Sequence, residues 1–288
     1  MTKHLTVGVL ALQGGVVEHL NLLLRAATHL QSSSPKSLEG VELSFTEVRT
    51  TPQLSQCDAL IIPGGESTTM AIVARRLGLL DPLRDFVKIQ HKPVWGTCAG
   101  LVMLAEQASA TKQGGQELVG GLDVRVQRNR YGTQLQSFVA ELDLGALLGD
   151  GEPPFRAVFI RAPVVEEVIV DVENDNAAGT GSGRGQGQDQ DQDRDHVGEG
   201  GRGGKKAKAD VEVLGFFRAE REGEGEGRQQ DQTPSGGQGK GDIVAVRQGN
   251  VFGTSFHPEL TGDVRIHVWW LGQVLDAVRH GELVLNGV

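Results

Sequence analysis

Apolar residues occur along the chain in two alternating rhythms. Thr6–Leu12 is a continuous apolar run, the pattern of a strand buried on both faces. Val16, Leu20, Leu23, Leu24 and Ala27 then recur at helical spacing, which predicts a helix up to about Leu30. Val41–Val48 alternates more openly, and Ala59–Ile62 is a short buried strand ended by Pro63-Gly64-Gly65. Ser67 is expected to cap a helix through Ala74, and another helix is expected over Pro82–Ile89. The strand Pro93–Trp95 leads into a tight, glycine-flanked turn. Strands apolar on both faces, separated by helices, predict a three-layer, doubly wound α/β fold with a mostly parallel central sheet. Later segments (Val124–Arg128, Ser137–Ala140, Ala157–Ile160, Ile243–Arg247 and Val251–Ser255) are strand-rich and turn-linked, and are expected to form an antiparallel extension. The last helix is expected from about Asp263 to Arg279.

Two stretches break both rhythms. Residues 174–209 contain one aliphatic side chain larger than alanine, Val197, and residues 221–241 contain none. Neither buries enough apolar surface to offset about 1–2 kcal/mol of backbone entropy per ordered residue. Both are therefore expected to be low-complexity, disordered insertions on either side of a strand at Val211–Ala219. Setting them aside leaves 231 of the 288 residues, the size of a single domain.

Charge and cysteine content narrow the function. The net charge is −9, and since residues 174–209 are neutral and 221–241 carry −1, −8 lies on the remainder. Such a surface repels a phosphate backbone, so no nucleic-acid partner is expected. No apolar run approaches the roughly 18 residues of a membrane span, and the segment from Met1 leads directly towards the first strand without the pattern of a signal peptide. Two cysteines, Cys57 and Cys98, make no disulfide framework and point to the reducing cytoplasm. No Cys/His cluster has zinc spacing, so no metal is expected.

The chemistry concentrates at three strand ends. Gly96-Thr97-Cys98-Ala99-Gly100 has the layout of a nucleophile elbow with cysteine at its tip. The helix that begins there turns its positive end towards the sulfur and favours the thiolate. A cysteine nucleophile needs a base, and the base needs an orienting partner. Ser255-Phe256-His257-Pro258-Glu259 supplies both: in an extended segment, residues two apart share a face, so Glu259 is expected to hold one imidazole nitrogen of His257 while the other faces Cys98. A plain surface turn is the blander reading of these residues. None of the seven other histidines has a comparable setting; His19 and His267 fall on helices. Gly64-Gly65-Glu66-Ser67, after a buried strand, lets backbone N–H groups approach a ligand closely and suits an oxyanion hole. It lacks the lysine and spacing of a phosphate-binding loop.

Taken together, these motifs and two further segments resemble a known family. Val9-Leu10-Ala11-Leu12-Gln13-Gly14, Pro63-Gly64-Gly65-Glu66-Ser67-Thr68-Thr69, the Cys98 elbow, Val158-Phe159-Ile160-Arg161-Ala162-Pro163 and Ser255-Phe256-His257-Pro258-Glu259-Leu260-Thr261 are similar to the glutaminase subunits of pyridoxal 5′-phosphate synthase, a branch of the class I glutamine amidotransferases. The cysteine elbow with His-Pro-Glu indicates only the class; the Gly-Gly-Glu-Ser-Thr-Thr and Phe-Ile-Arg-Ala-Pro segments are more particular to the vitamin B6 branch. The resemblance implies a Cys98–His257–Glu259 triad hydrolysing L-glutamine to glutamate and ammonia. It places glutamine against Gly65, Glu66, Ser67, Arg128, Ile160 and Arg161, with Gly65 and Ala99 N–H groups as the oxyanion hole. It implies no bound cofactor or metal, and a barrel-shaped synthase subunit that receives the ammonia within a hetero-oligomer. Two departures stand out: Thr133 occupies a position where the family commonly has arginine, and Trp95 replaces a smaller aromatic beside the elbow. Another class I glutaminase, such as that of histidine biosynthesis, would share the triad but lack Gly-Gly-Glu-Ser-Thr-Thr. An idle scaffold that binds the synthase without hydrolysing glutamine is the rival from a different class.

Because loop length enters closure entropy only logarithmically, deleting 176–208 and 223–240 with short Gly/Ser joins is expected to change stability by no more than about 1–2 kcal/mol. Limited proteolysis should cut first within these stretches. Protection there, or collapse of the deletion variant, would show that they fold or dock.

Overall fold

A computed structural model describes residues 2–109, 116–128, 130, 137–169, 209–218 and 241–280. The two stretches expected to be disordered insertions, and Thr133, lie outside the described residues except at the edges of the former.

The alternation of runs and stripes becomes a wound sheet. β1 (Lys3–Leu10) is followed by α1 (Val16–Ser33), β2 (Val41–Val48), α2 (Thr51–Ser55), β3 (Ala59–Ile62), α3 (Ser67–Arg76) and α4 (Leu80–Arg84), which continues as one π-helical turn over Asp85–Ile89. Next come β4 (Val94–Thr97), α5 (Ala99–Leu104), β5 (Ala105–Ser109) and β6 (Leu122–Gln127). The second half holds β7 (Ser137–Leu142), α6 (Gly145–Leu148), β8 (Phe155–Ile160), β9 (Val164–Val168), β10 (Val211–Phe217), β11 (Asp242–Gln248), β12 (Val251–Thr254) and α7 (Arg265–Arg279). Among the described residues no helix is long and apolar enough to cross a membrane.

Ten strands make the main sheet, in the order β2-β1-β3-β4-β12-β11-β9-β6-β5, with β10 paired to β11. The ladders from β2 to β12 are all parallel. Residue alternation sorts the core into two layers. Leu5, Val7 and Val9 of β1 and Ile61 of β3 face Leu23, Ala26 and Leu30 of α1 and Trp270, Leu271 and Val274 of α7. Leu10, Leu60 and Ile62 face Met70, Ala71 and Ala74 of α3, Leu80 and Leu83 of α4 and Leu101 of α5. The expected three-layer α/β architecture is therefore present, and the parallel strands end together on one side.

The expected antiparallel extension is correct for only part of the later chain. β11 runs antiparallel to β12 and β9, and β9 antiparallel to β6, whereas β6 pairs with β5 in parallel. β12, however, joins the parallel core, with Val251 against Val94 and Thr254 against Thr97. β7 and β8 leave the main sheet and form a separate two-stranded ribbon. Local pattern shows that a segment is a strand but not its partner, which long-range packing decides. β5 (Ala105–Ser109) is a strand not expected from the sequence; it begins directly where α5 ends. The cap of α3 is Glu66 rather than Ser67: its carboxylate accepts the N–H groups of Thr68 and Thr69, and a two-oxygen acceptor at the N-cap satisfies two orphan donors where a hydroxyl satisfies one.

Gly100 shows how closely α5 is pressed to the sheet. A Cβ there would collide with the backbone carbonyl of Ile62 in β3, and neither partner is a flexible side-chain end. Gly100→Ala is therefore expected to destabilise by at least the ~1–3 kcal/mol typical of overpacking, read as a fall in the urea midpoint; an unchanged midpoint would refute this account.

Candidate functional site

The cleft lies beyond the carboxyl ends of the parallel strands, where open α/β sheets bind ligands. One cavity of about 570 Å³ is lined by all ten residues singled out in the sequence: Gly65, Glu66, Ser67, Cys98, Ala99, Arg128, Ile160, Arg161, His257 and Glu259. A larger hollow of about 1110 Å³ lies between α1 and β2. No cysteine or histidine lines it, so volume alone does not locate the chemistry.

Cys98 follows β4 with φ 50° and ψ −105°, a conformation costly for an L-residue and kept only where the surroundings impose it. Two neighbours impose it here. The Cys98 N–H donates to the Thr254 carbonyl at 2.7 Å, and α5 begins at once on the far side. The turn aims Sγ into the cleft, 4.0 Å from the carbonyl of Ile160. Ala99 opens α5, so its N–H has no partner within that helix. Cys57 is buried just before β3, at the end of the strands away from the cleft, where burial and nearby Asp58 push its thiol up to about 12. It offers no nucleophile.

β12 is parallel to and in register with β4, and so delivers His257 beside the elbow. The extended segment expected at His257–Glu259 is instead a 3₁₀ turn, Pro258–Leu260. The turn folds the carboxylate back, and Glu259 Oε1 lies 2.8 Å from His257 Nδ1. The outcome is the pairing that the sequence reading sought, reached by a different backbone path. Burial opposes a charged imidazole, but hydrogen bonding and charge from Cys98 and Glu259 outweigh it and raise His257 to about 10. Burial likewise opposes the Glu259 carboxylate, and the hydrogen bond and charge of His257 help bring its pKa below the ordinary value. Gly64 is required here, because a Cβ would strike the His257 ring.

Glu66 and Arg128 form one unit. Glu66 is partly desolvated, yet hydrogen bonds from Thr69 and Thr68 lower its pKa to about 2. Its Oε1 also accepts Arg128 Nη2 at 3.0 Å, and Arg128 donates to Thr68 Oγ1 at 2.8 Å. The side chain of Glu66 is thus fully engaged in capping α3 and anchoring the arginine, which leaves its backbone to face the cavity. Ser67 is buried, and its hydroxyl donates to Gln116 Oε1 at 3.1 Å. Arg161 lies at the cavity edge with φ 46°.

Two residues at the site were not picked out from the sequence. Gln13 lines the cavity and accepts the Glu66 N–H at 2.8 Å through Oε1. His19 is fully buried, with Nε2 3.4 Å from Glu259 Oε2. A histidine at the position of a core residue on the apolar stripe of α1 was the available signal: it lies three residues after Val16 and four before Leu23.

The model of the SNO glutamine amidotransferase family matches residues 9–192 and 216–276. The chain is 40% identical over 269 residues to the Arabidopsis thaliana protein named "Probable pyridoxal 5'-phosphate synthase subunit PDX2", covering 93% of this chain and 85% of that protein. It is 38% identical to pyridoxal 5′-phosphate synthase subunit PdxT of a Nocardioides species, over 93% of this chain and 94% of the other. A crystal structure of a glutamine amidotransferase, 32% identical, superposes with a TM-score of 0.58 over 93% of this chain and 98% of that one. With motif, fold and strand-end cleft in agreement, the chain belongs to the SNO glutamine amidotransferase family.

Proposed function

We propose that this chain is the glutaminase subunit of a pyridoxal 5′-phosphate synthase, hydrolysing L-glutamine to L-glutamate and ammonia. The observation that carries the reading is the His257–Glu259 pair, 2.8 Å apart and buried, at the mouth of a strained cysteine elbow. In this reading Cys98 Sγ, as thiolate, attacks the side-chain amide carbon of glutamine, and the carbonyl electron pair moves to oxygen. The N–H groups of Gly65 and Ala99 receive that oxyanion; fixed donors of this kind stabilise charge that develops only in the transition state. The intermediate collapses as imidazolium His257 protonates the departing nitrogen, which leaves as ammonia. Water then attacks the γ-glutamyl thioester while His257 takes its proton, releasing glutamate and restoring the sulfur. Glu259 orients the ring throughout.

Substrate recognition follows from charge. The α-carboxylate of glutamine suits a guanidinium, and Arg128 and Arg161 both line the cavity. Arg128 is already held by Glu66 and Thr68, so it meets substrate pre-positioned. Ammonia released into neutral water becomes ammonium and loses nucleophilicity, so a docked acceptor is required. The names of the relatives indicate a synthase partner, and a barrel-shaped subunit in a hetero-oligomer fits that need. Free Cys57 and Cys98 suit a reducing compartment such as the cytosol.

Cys98→Ala should abolish glutamate formation, measured with the synthase subunit present, while the fold and partner binding persist. His257→Ala should lose at least about 10²–10⁴-fold, the worth of general acid–base catalysis, and Glu259→Gln should lose less. Turnover by Cys98→Ala near the wild-type rate would overturn the assignment.

Buried imidazoles also make stability depend on pH with opposite signs. His19 and His267 are driven down to about 3 from 6.5, chiefly by burial. The unfolded chain takes up their protons first, so stability falls as pH drops from 6.5 towards 3. His257, raised to about 10, contributes stability that is complete below 6.5 and lost as pH rises towards and through 10. Urea midpoints should therefore pass through a maximum near pH 6.5. A midpoint that kept rising between pH 7 and 10 would contradict this.

A further inference from the structure

Behind Glu259 the polar chain continues into the core. His19 on α1 and His267 on α7 are both fully buried, and His19 Nδ1 lies 3.0 Å from His267 Nε2. His19 Nε2 lies 3.4 Å from Glu259 Oε2 and 3.5 Å from Thr97 Oγ1. One placement of the hydrogens suits the buried carboxylate. Burial keeps both rings neutral, with one N–H each. A carboxylate only accepts, so the arrangement that suits Glu259 puts the N–H of His19 on Nε2, between Oε2 and Thr97 Oγ1. Its bare Nδ1 then accepts from Nε2–H of His267, which leaves Nδ1 of His267 as a bare acceptor. That atom indeed has no hydrogen-bond partner.

Packing gives no reason for this pair. Burying two imidazoles between α1, α7 and Trp95 costs desolvation that a leucine would avoid, and other apolar positions on both helices fill the same layer. Glu259 Oε2 makes no well-aligned hydrogen bond of its own, so the long contact from His19 is the feature that constrains the outer side of the carboxylate.

We propose that His19 is a positioning residue for the reaction: its Nε2–H restrains the outer oxygen of Glu259, keeping the inner oxygen in line with His257 Nδ1 as that ring gains and loses its proton, while His267 fixes the His19 tautomer. The inference rests on the glutaminase reading. The titratable groups bearing on His19 are Glu259, His267 and His257, and Arg25 is the charged group bearing on His267. Neither His267 nor Arg25 carries substrate.

The test uses the full chain with its synthase subunit, measuring glutamate formed across pH. His19→Leu should lower kcat about tenfold, about 1.4 kcal/mol of barrier, as the outer oxygen of Glu259 loses its restraint. KM for glutamine should stay within about twofold, and the acid limb of the kcat–pH profile should move to higher pH, because the carboxylate loses a donor. His19→Gln, which keeps an N–H, should recover most of the rate. His267→Leu should shift the limb in the same direction by less. Wild-type kcat and an unmoved limb in His19→Leu would overturn the inference, as would a slow variant with an unmoved limb and no recovery by glutamine. If His19→Leu fails to fold, His267→Leu and His19→Gln decide: a wild-type profile in the first, or a lost rate with an unmoved limb in the second, overturns it. A wild-type complex that forms no glutamate overturns the glutaminase reading itself, whereas an active complex with unaffected variants overturns only the role of His19.

Discussion

A carboxylate with 6% exposure organises this molecule. Removing a charge from water costs several kcal/mol unless partners replace the lost hydration, so Glu259 dictates what surrounds it. His257 takes one oxygen at 2.8 Å, His19 stands 3.4 Å from the other, and Gly15 approaches so closely that a Cβ would crowd the glutamate Cγ. These residues come from β12 and its following turn, from α1 and from the loop after β1. One buried charge therefore ties the two ends of the chain to the same point, and the elbow at Cys98 faces the imidazole that this charge keeps protonated.

Much of this was legible in the sequence because it is local. Apolar runs and stripes located most elements, and the motifs at Gly64–Ser67, Cys98 and His257–Glu259 each belong to one strand end. What escaped is set by partners remote in sequence. Whether β12 extends the parallel core or the antiparallel part depends on pairing with Val94–Thr97, about which Val251–Thr254 says nothing locally. His19 reads as one helical residue among others until Glu259, 240 positions away, is folded against it. The resemblance places Glu66 in the glutamine-binding turn without assigning its side chain, which caps α3 and grips Arg128. Capping and ion pairing compete for the same oxygens as a substrate would, and sequence alone does not rank them.

Rigidity at the site comes from backbone contact more than from side chains. Gly64 lies against the His257 ring and Gly100 against the carbonyl of Ile62, so strand ends and ring are held at van der Waals distance. Strain at Cys98 persists because hydrogen bonding to Thr254 on one side and α5 on the other leave it no relaxed alternative. Pre-organisation of this kind requires no reorganisation at the moment of reaction.

The register of β4 with β12 also orders events during synthesis. Trp95 pairs with Phe252, 157 residues later, so the ladder that brings histidine to cysteine is among the most non-local contacts in the molecule, and such contacts form late. A ribosome-bound chain that has not reached Thr254 lacks one of the two contacts that impose the Cys98 turn, and lacks His257 and Glu259 as well. During that interval Cys98 has neither the imidazole nor the buried carboxylate that later pack beside it. The proposed site is therefore assembled only when the last quarter of the polypeptide arrives.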